Sequence, residues 1–248
     1  MEMYSLTDIG TSRELNQDYF FTSEEPVGNL PNLFIVADGM GGHNAGEFAS
    51  RFTVENIVRT AKECEGVDIP KILSAAITNA NEELLAYAEA HPEMAGMGTT
   101  IVASVFSDGQ IYVANVGDSR LYIVGNEIRQ ITQDHSLVQE MVRIGELNEE
   151  EAKSHPDKNI ITRAVGAETN VNIDFFEVDI QAGDQVLMCT DGLTNMVEDG
   201  QICSVLQASD QSLAQKVEYL VDTANKNGGK DNITAVVYQP ISDEVAEC

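Results

Sequence analysis

Two long stretches of the chain have a helical period of hydrophobic residues. Apolar side chains recur at three- and four-residue steps over 45–61 and over 69–88, which predicts a pair of helices with Pro70 near the start of the second. A third stretch, 211–226, has the same period and stops before two glycines. Each helix has one apolar face, which we interpret as its core-packing face.

Short apolar runs bounded by turn residues predict strands. These runs lie at 3–8, 18–22, 33–37, 99–106, 110–116, 119–124, 127–132, 173–179, 184–190 and 232–238. Turn pairs such as Asp-Gly and Gly-Asn between the runs of 99–131 indicate antiparallel hairpins. Residues 136–156 are predicted to be mostly helical. Strands and helices come in separate runs, so the pattern predicts an α+β fold with antiparallel sheet.

Charge narrows the classes of function. The 248 residues contain 14 Lys and Arg against 41 Asp and Glu, a formal net charge of −27. Such a chain repels nucleic-acid phosphates and anionic membrane surfaces, so neither is an expected partner. Most of the excess is expected to be a solvated acidic surface, while some carboxylates converge on cations.

Composition also predicts the organisation of the chain. No linker interrupts it, so we expect a single domain over 1–241, a mobile polar flap at about 145–160 and an acidic tail at 242–248. No apolar run approaches about 20 residues, and the start does not resemble a signal peptide, so we expect a cytoplasmic protein without membrane insertion. The four cysteines form no CxxC pair and are expected to be free thiols.

Five aspartates flank predicted strands or turns. They are Asp18, Asp38, Asp118, Asp191 and Asp231. A single aspartate before glycine is usually a plain turn residue. If the strand ends share one edge of the sheets, however, these carboxylates meet and need cations to offset their repulsion. Carboxylate oxygens select hard cations, so the pattern favours a Mg²⁺ or Mn²⁺ site.

Such a site leaves three functions open. A two-metal phosphatase and a two-metal nuclease both need clustered aspartates, although the net charge argues against a nuclease. A phosphopeptide-binding module without catalysis is the third. The glycine-rich segment 39–46 lacks the Gly-Lys-Ser/Thr ending of a phosphate-binding P-loop.

The motifs taken together resemble the type 2C metal-dependent protein serine/threonine phosphatases. The chain contains, in the order typical of that family, RELNQD (13–18), DGMGGH (38–43), GMGTT (96–100), GDSR (117–120), DHS (134–136), TDGL (190–193) and KDNIT (230–234). The resemblance covers nearly the whole chain. The compact form of the chain is similar to that of the bacterial members that oppose transmembrane kinases. It implies a central antiparallel β-sandwich flanked by helix pairs.

The resemblance also implies metal ligands. By analogy with the family, Asp38 bridges two Mn²⁺ or Mg²⁺ ions and Gly39 contributes its carbonyl oxygen. Asp191 and Asp231 complete the ligands of the first ion, and Asp18 lies at the second, mostly through water. Asp118, together with Asp191, is implied to hold a possible third ion.

Two further residues acquire catalytic roles from the resemblance. Arg13 is implied to hold the substrate phosphate, and His43 is implied to act as the general acid. The other histidines, His91, His135 and His155, are interpreted as structural. The expected reaction is hydrolysis of phosphoserine and phosphothreonine by in-line attack of a metal-activated water. Phosphoprotein substrates, an opposing membrane kinase and a monomeric state complete the expectation.

Overall fold

The computed structural model describes residues 1–42 and 44–240. Its strands are β1 Glu2–Asp8, β2 Asp18–Ser23, β3 Leu33–Met40, β4 Gly98–Thr99, β5 Ile101–Ser107, β6 Gln110–Val116, β7 Arg120–Val124, β8 Ile128–Gln130, β9 Asp174–Asp179, β10 Gln185–Cys189 and β11 Ile233–Gln239. Its α-helices are α1 Ala45–Glu63, α2 Ile69–Ala90, α3 Leu137–Arg143, α4 Glu149–Ser154, α5 Asp191–Thr194, α6 Asp199–Leu206 and α7 Leu213–Lys226.

The strands form two antiparallel sheets. One has the order β1-β11-β10-β7-β8, and the other has the order β2-β3-β5-β6-β9, with β4 paired to β3. The strands that come from the predicted hairpins of 99–131 pair as expected, because β5 pairs with β6 and β7 pairs with β8. The end of β3 and the start of β11 belong to different sheets.

Hydrophobic residues fill three layers between these elements. The α1–α2 pair covers one sheet through a core that includes Ile35, Ile57 and Leu73. α6 and α7 cover the other sheet, and α7 buries Val217, Leu220 and Val221 there. A third core joins the two sheets, where the rings of Phe34 and Tyr238 stack with centroids 4.2 Å apart. The predicted fold class, a β-sandwich flanked by helix pairs, is confirmed.

The structure adds two local features that the sequence pattern did not define. The helical structure expected over 136–156 is present as two short helices, because Gly145 has a φ of 81° and Asn148 starts a new helix as its N-cap. The helix α6 was not expected, since few of its residues are buried, chiefly Ile202 and Leu206, and Gly200 lies near its start.

Two further expectations concern the cysteines and membrane-spanning helices. Cys64, Cys189 and Cys203 are free thiols, while Cys248 and the tail 242–248 lie outside the described residues. None of the helices in the described part of the chain combines the length and the apolar character that crossing a membrane requires.

Candidate metal and phosphate site

The structure brings the five predicted aspartates to one end of the sandwich. Asp18 on β2 lies directly opposite Asp38 on β3. Asp191 follows β10, and Asp231 precedes the neighbouring strand β11. The charges of these residues and of Asp118, in the β6–β7 turn, all act on the Asp38 carboxyl. The strand-end pattern therefore corresponds to one cluster in space.

Asp18 is the most deeply placed member of the cluster. Its side chain is buried, and its Oδ2 accepts hydrogen bonds from the hydroxyls of Thr190 at 2.8 Å and Thr234 at 2.7 Å. Its Oδ1 is buried with no hydrogen-bond partner among the described residues. Burial raises the pKa of Asp18 to about 7, although both threonine hydrogen bonds oppose the rise.

A chain of hydrogen-bond donors leads to Asp18. Since the Thr234 hydroxyl gives its single proton to Asp18, the Thr7 hydroxyl donates to Thr234 Oγ1 across 2.7 Å. The Asn16 amide donates in turn to Thr7 Oγ1 at 2.9 Å. These bonds connect the loop before β2 to β1 and β11. They also orient Asp18 so that Oδ1 remains available to a further ligand.

The backbone around Asp38 is held by two threonines of the GMGTT segment. The Asp38 amide donates to Thr100 Oγ1 at 2.9 Å, and its carbonyl accepts from Thr99 Oγ1 and the Thr100 amide, each at 2.9 Å. Burial raises the pKa of the Asp38 carboxyl well above its usual range, and repulsion from Asp18 adds to the rise. The Asp38 carboxyl is thus fixed in a region of strong negative potential.

Gly39 is packed too tightly for any side chain. A Cβ at this position would lie 2.0 Å from the carbonyl oxygen of Gly46 and 2.6 Å from that of Gln17. The Gly39 amide also donates to the Gln17 carbonyl at 3.0 Å. The glycine therefore lets the start of α1 and the loop before β2 close around the end of β3.

Asp191 and Asp231 each have one carboxylate oxygen engaged by a side chain. Asp191 Oδ2 accepts from the Asn195 amide at 2.9 Å, while its Oδ1 is buried with no partner among the described residues. Burial raises the pKa of Asp191 to about 6, and the charge of Asp231 adds to this rise. Asp231 Oδ2 pairs with the guanidinium of Arg13 at 2.7 Å.

Asn232 fixes the loop that carries Arg13. Its Oδ1 accepts from the Gln17 amide at 2.8 Å, and its Nδ2 donates to the carbonyls of Ile9 and Leu15, each at 2.9 Å. Arg13 itself is about half exposed, at 47% of its side-chain area. Sequence reasoning did not single out Asn232, although it lies beside Asp231 in the KDNIT segment.

The turn of Asp118 is braced by side chains of the GDSR and DHS segments. Arg120 makes paired hydrogen bonds to Asp134, with Nη2 2.7 Å from Oδ2. Burial raises the pKa of Asp118 well above its usual range, with repulsion from Asp191 as the next cause. The Gly117 amide donates to His135 Nδ1 at 3.0 Å, so Nε2 carries the proton and donates to Asp174. This bonding agrees with the structural interpretation of His135.

A cleft of about 240 Å³ opens over the cluster. Its lining includes Arg13, Asp38, Gly39, Asp118, Asn159, Asp191 and Asp231. The structure therefore brings together every predicted site residue except His43, which lies outside the described residues.

The donor set of the cleft fits hard divalent cations. It offers carboxylate and carbonyl oxygens, and two buried carboxylate oxygens lack partners. Within residues 1–42 and 44–240, no three His, Cys, Asp or Glu side chains already stand as the ligands of one ion. The ion pair of Asp231 with Arg13 engages one oxygen that an ion at this site would need.

Comparisons with known proteins identify the family of this chain. The family model for protein phosphatase 2C matches residues 10–237. The chain is 41% identical over 238 residues to a serine/threonine phosphatase of Listeria innocua, covering 94% of this chain and 93% of that protein.

Solved structures give the same result. The serine/threonine phosphatase of S. agalactiae has a TM-score of 0.89 and 40% identity, covering 96% of this chain and 99% of that one. The catalytic domain of the phosphatase PstP, solved in complex with two manganese ions, has a TM-score of 0.83 and 33% identity, covering 95% and 96%. These matches confirm the predicted family and reaction class: the chain belongs to the protein phosphatase 2C family of serine/threonine phosphatases.

Proposed function

We propose that this phosphatase hydrolyses phosphoserine and phosphothreonine in proteins by in-line attack of a water activated by two Mn²⁺ or Mg²⁺ ions. The cluster of aspartates carries the proposal, because five carboxylates are gathered at one end of the sandwich and four of them line a cleft that Arg13 also lines. The similarity to a phosphatase bound to two manganese ions supports metal dependence. The similarity to serine/threonine phosphatases favours a phosphatase over the nuclease and the binding module.

The proposed ligands are the side chains of Asp18, Asp38, Asp191 and Asp231 and the carbonyl of Gly39. When bound, the two ions would supply a hydroxide nucleophile near neutral pH. Asp38 is placed to serve both ions because it faces Asp18 across the strand pair and also interacts with Asp191 and Asp231. Asp18 is held by threonine hydroxyls, so its free oxygen is oriented before any ion arrives.

Arg13 and His43 are the proposed groups that act on the substrate. The planar guanidinium of Arg13 can hold two phosphate oxygens, and its half-exposed position at the cleft gives it access to them. For this it must leave Asp231, whose carboxylate would then be free for a cation. His43 would protonate the serine or threonine oxygen as it leaves, since an alkoxide is a poor leaving group.

The proposal extends to a third ion, to the flap and to the cellular setting of the enzyme. Asp118 lies beside Asp191, so this pair is the proposed holder of a third ion. The flap 145–160 is proposed to be mobile, and Asn159 at its end lines the cleft. We also propose a cytoplasmic monomer that opposes a membrane serine/threonine kinase, in keeping with the resemblance to bacterial phosphatases of that kind.

The test is phosphate release from a phosphothreonine peptide, measured with Mn²⁺ and with chelator. Asp231→Asn should abolish metal-dependent release, because it removes the charge of a proposed ligand. Asp222→Asn, an exposed position on α7, removes the same charge elsewhere and should keep the wild-type rate. Full activity in chelator, or a normal rate for Asp231→Asn, would refute the proposal.

His43 needs its own test, with two substrates. His43→Ala should reduce the rate on phosphothreonine more than the rate on an aryl phosphate, whose leaving group needs less protonation. Equal losses on both substrates would contradict the acid role.

A further inference from the structure

A pair of hydrogen bonds links the flap to one of the proposed metal ligands. Lys158, near the end of the flap, donates from Nζ to Asn195 Oδ1 at 2.8 Å. Asn195 donates from Nδ2 to Asp191 Oδ2 at 2.9 Å. Lys158, Asn195 and Asp191 are all partly buried, and they line a groove that lies beside the cleft and shares Asp118 and Asp191 with it.

The chemistry of the donors fixes the direction of this pair of bonds. A lysine ammonium can only donate, so the oxygen of the Asn195 amide must face Lys158. The NH₂ group of Asn195 then faces Asp191, as a carboxylate acceptor requires. The backbone reinforces the arrangement, because Asn195 follows the short helix α5 and its backbone N–H donates to the Asp191 carbonyl oxygen at 2.7 Å.

The bond to Asn195 leaves one oxygen of Asp191 for a cation. Asp191 Oδ2 is held by Asn195, while Oδ1 is buried without a partner among the described residues. The Asn195 amide, whose oxygen accepts from Lys158, therefore determines which oxygen of Asp191 stays free.

We propose that Asn195 and Lys158 are positioning residues for Asp191: Asn195 aims the free carboxylate oxygen at the metal, and Lys158 of the flap sets the amide of Asn195. The inference rests on the proposed role of Asp191 as a metal ligand. It makes the position of the flap a determinant of metal affinity, since moving Lys158 away releases the amide. Hydrogen-bond partners of metal ligands typically change metal affinity by about 10- to 100-fold when they are removed.

The chain provides a matched control for Lys158. Lys153 lies in the same flap and, like Lys158, lines the groove beside the cleft, but its ammonium pairs with Glu150 at 3.3 Å and Glu198 at 3.8 Å. Lys153→Met and Lys158→Met therefore remove the same charge from the same segment. Only the second removes a donor from Asn195.

The experiment is a calorimetric titration of the full chain with Mn²⁺, which measures binding without any substrate. Asn195→Leu should raise the dissociation constant of Mn²⁺ about tenfold or more. Lys158→Met should give a smaller rise, Lys158→Arg should stay near wild type, and Lys153→Met should not change the constant. In the Asn195→Leu background, Lys158→Met should add nothing, because Lys158 acts through Asn195.

Two results would overturn the inference. One is an equal rise in the dissociation constant of Mn²⁺ for Lys153→Met and Lys158→Met, which would show that Lys158 acts through its charge alone. The other is an undiminished effect of Lys158→Met in the Asn195→Leu background. If Asn195→Leu does not fold, the Mn²⁺ affinities of Lys158→Met, Lys158→Arg and Lys153→Met test the inference instead, because both lysines lie on the flap.

A further variant separates this inference from the proposed function. Asp191→Asn should weaken Mn²⁺ binding more than Asn195→Leu does. If Asp191→Asn loses Mn²⁺ while Asn195→Leu binds normally, the positioning role is wrong and the metal site stands. If Asp191→Asn binds as tightly as wild type, both are wrong.

Discussion

Replacing Asp18 with asparagine should stabilise the metal-free protein while weakening its metal site. Asp18 is buried at 6% exposure beside other carboxylates, and burial raises its pKa from 3.8 to about 7. An asparagine has nearly the same shape, and its oxygen can still accept the hydrogen bonds that Thr190 and Thr234 donate to Oδ2. The substitution thus removes a costly charge and keeps the local packing.

The size of the effect follows from the pKa of Asp18. A tenfold change in proton affinity corresponds to about 1.36 kcal/mol, so ionising Asp18 in the folded protein costs up to about 4 kcal/mol. Because the folded-state pKa is raised, the unfolded chain releases this proton first, and the stability of wild type falls as pH rises from about 4 to about 7. The advantage of Asp18→Asn should therefore be largest at pH 8 and close to zero near pH 4.

The assay is urea unfolding in chelator at several pH values, with Asp222→Asn as the control for loss of a surface charge. Saturating Mn²⁺ should then make wild type more stable than Asp18→Asn, because a ligand stabilises the folded state in proportion to the logarithm of its concentration over its dissociation constant. A variant that is no more stable than wild type at pH 8 in chelator would refute the reasoning. So would an advantage that does not depend on pH.

Three further substitutions test how the cleft is built. Asn232→Ala should raise the KM for phosphopeptide and lower the free energy of unfolding by about 1–3 kcal/mol, because the Gln17 amide loses its acceptor and the loop of Arg13 is released. Steady-state kinetics and urea unfolding measure the two effects, and an unchanged KM would contradict the loop's role. Gly39→Ala should destabilise the fold by more than about 2 kcal/mol, because the new Cβ would collide with the Gly46 carbonyl; a melting temperature equal to that of wild type would show that the close approach is absent. Arg13→Ala should raise KM but change stability by less than about 1 kcal/mol, since its ion pair with Asp231 is largely exposed; a large loss of stability would indicate a structural role instead.

The sequence predicted the carboxylates of the site better than the groups that hold them. Asp38 and Asp191 could be found because each follows a short apolar run, and the ends of such runs are readable from local pattern. Thr190 and Thr234 could not be found in this way. They contact Asp18 across 172 and 216 residues of chain, so their role depends on how the two sheets meet.

The limits of local pattern also explain which details of the fold the sequence did not define. The helices α1 and α2 are long and strongly periodic, and both were predicted correctly. The segment 136–156 is polar, so its period could not reveal the break at Gly145, where a positive φ ends α3 and its turn. The link from Lys158 through Asn195 to Asp191 was equally invisible, because it joins a polar flap to a short helix by side-chain contacts alone.

The central claim is that the buried aspartates hold the ions that activate the attacking water. Its most direct test is anomalous diffraction from crystals of the active protein grown with Mn²⁺. The account predicts two manganese peaks bridged by the Asp38 carboxylate, with Asp191 and Asp231 at one of them and Arg13 no longer bonded to Asp231. Crystals of catalytically active protein without manganese at Asp38 would contradict it.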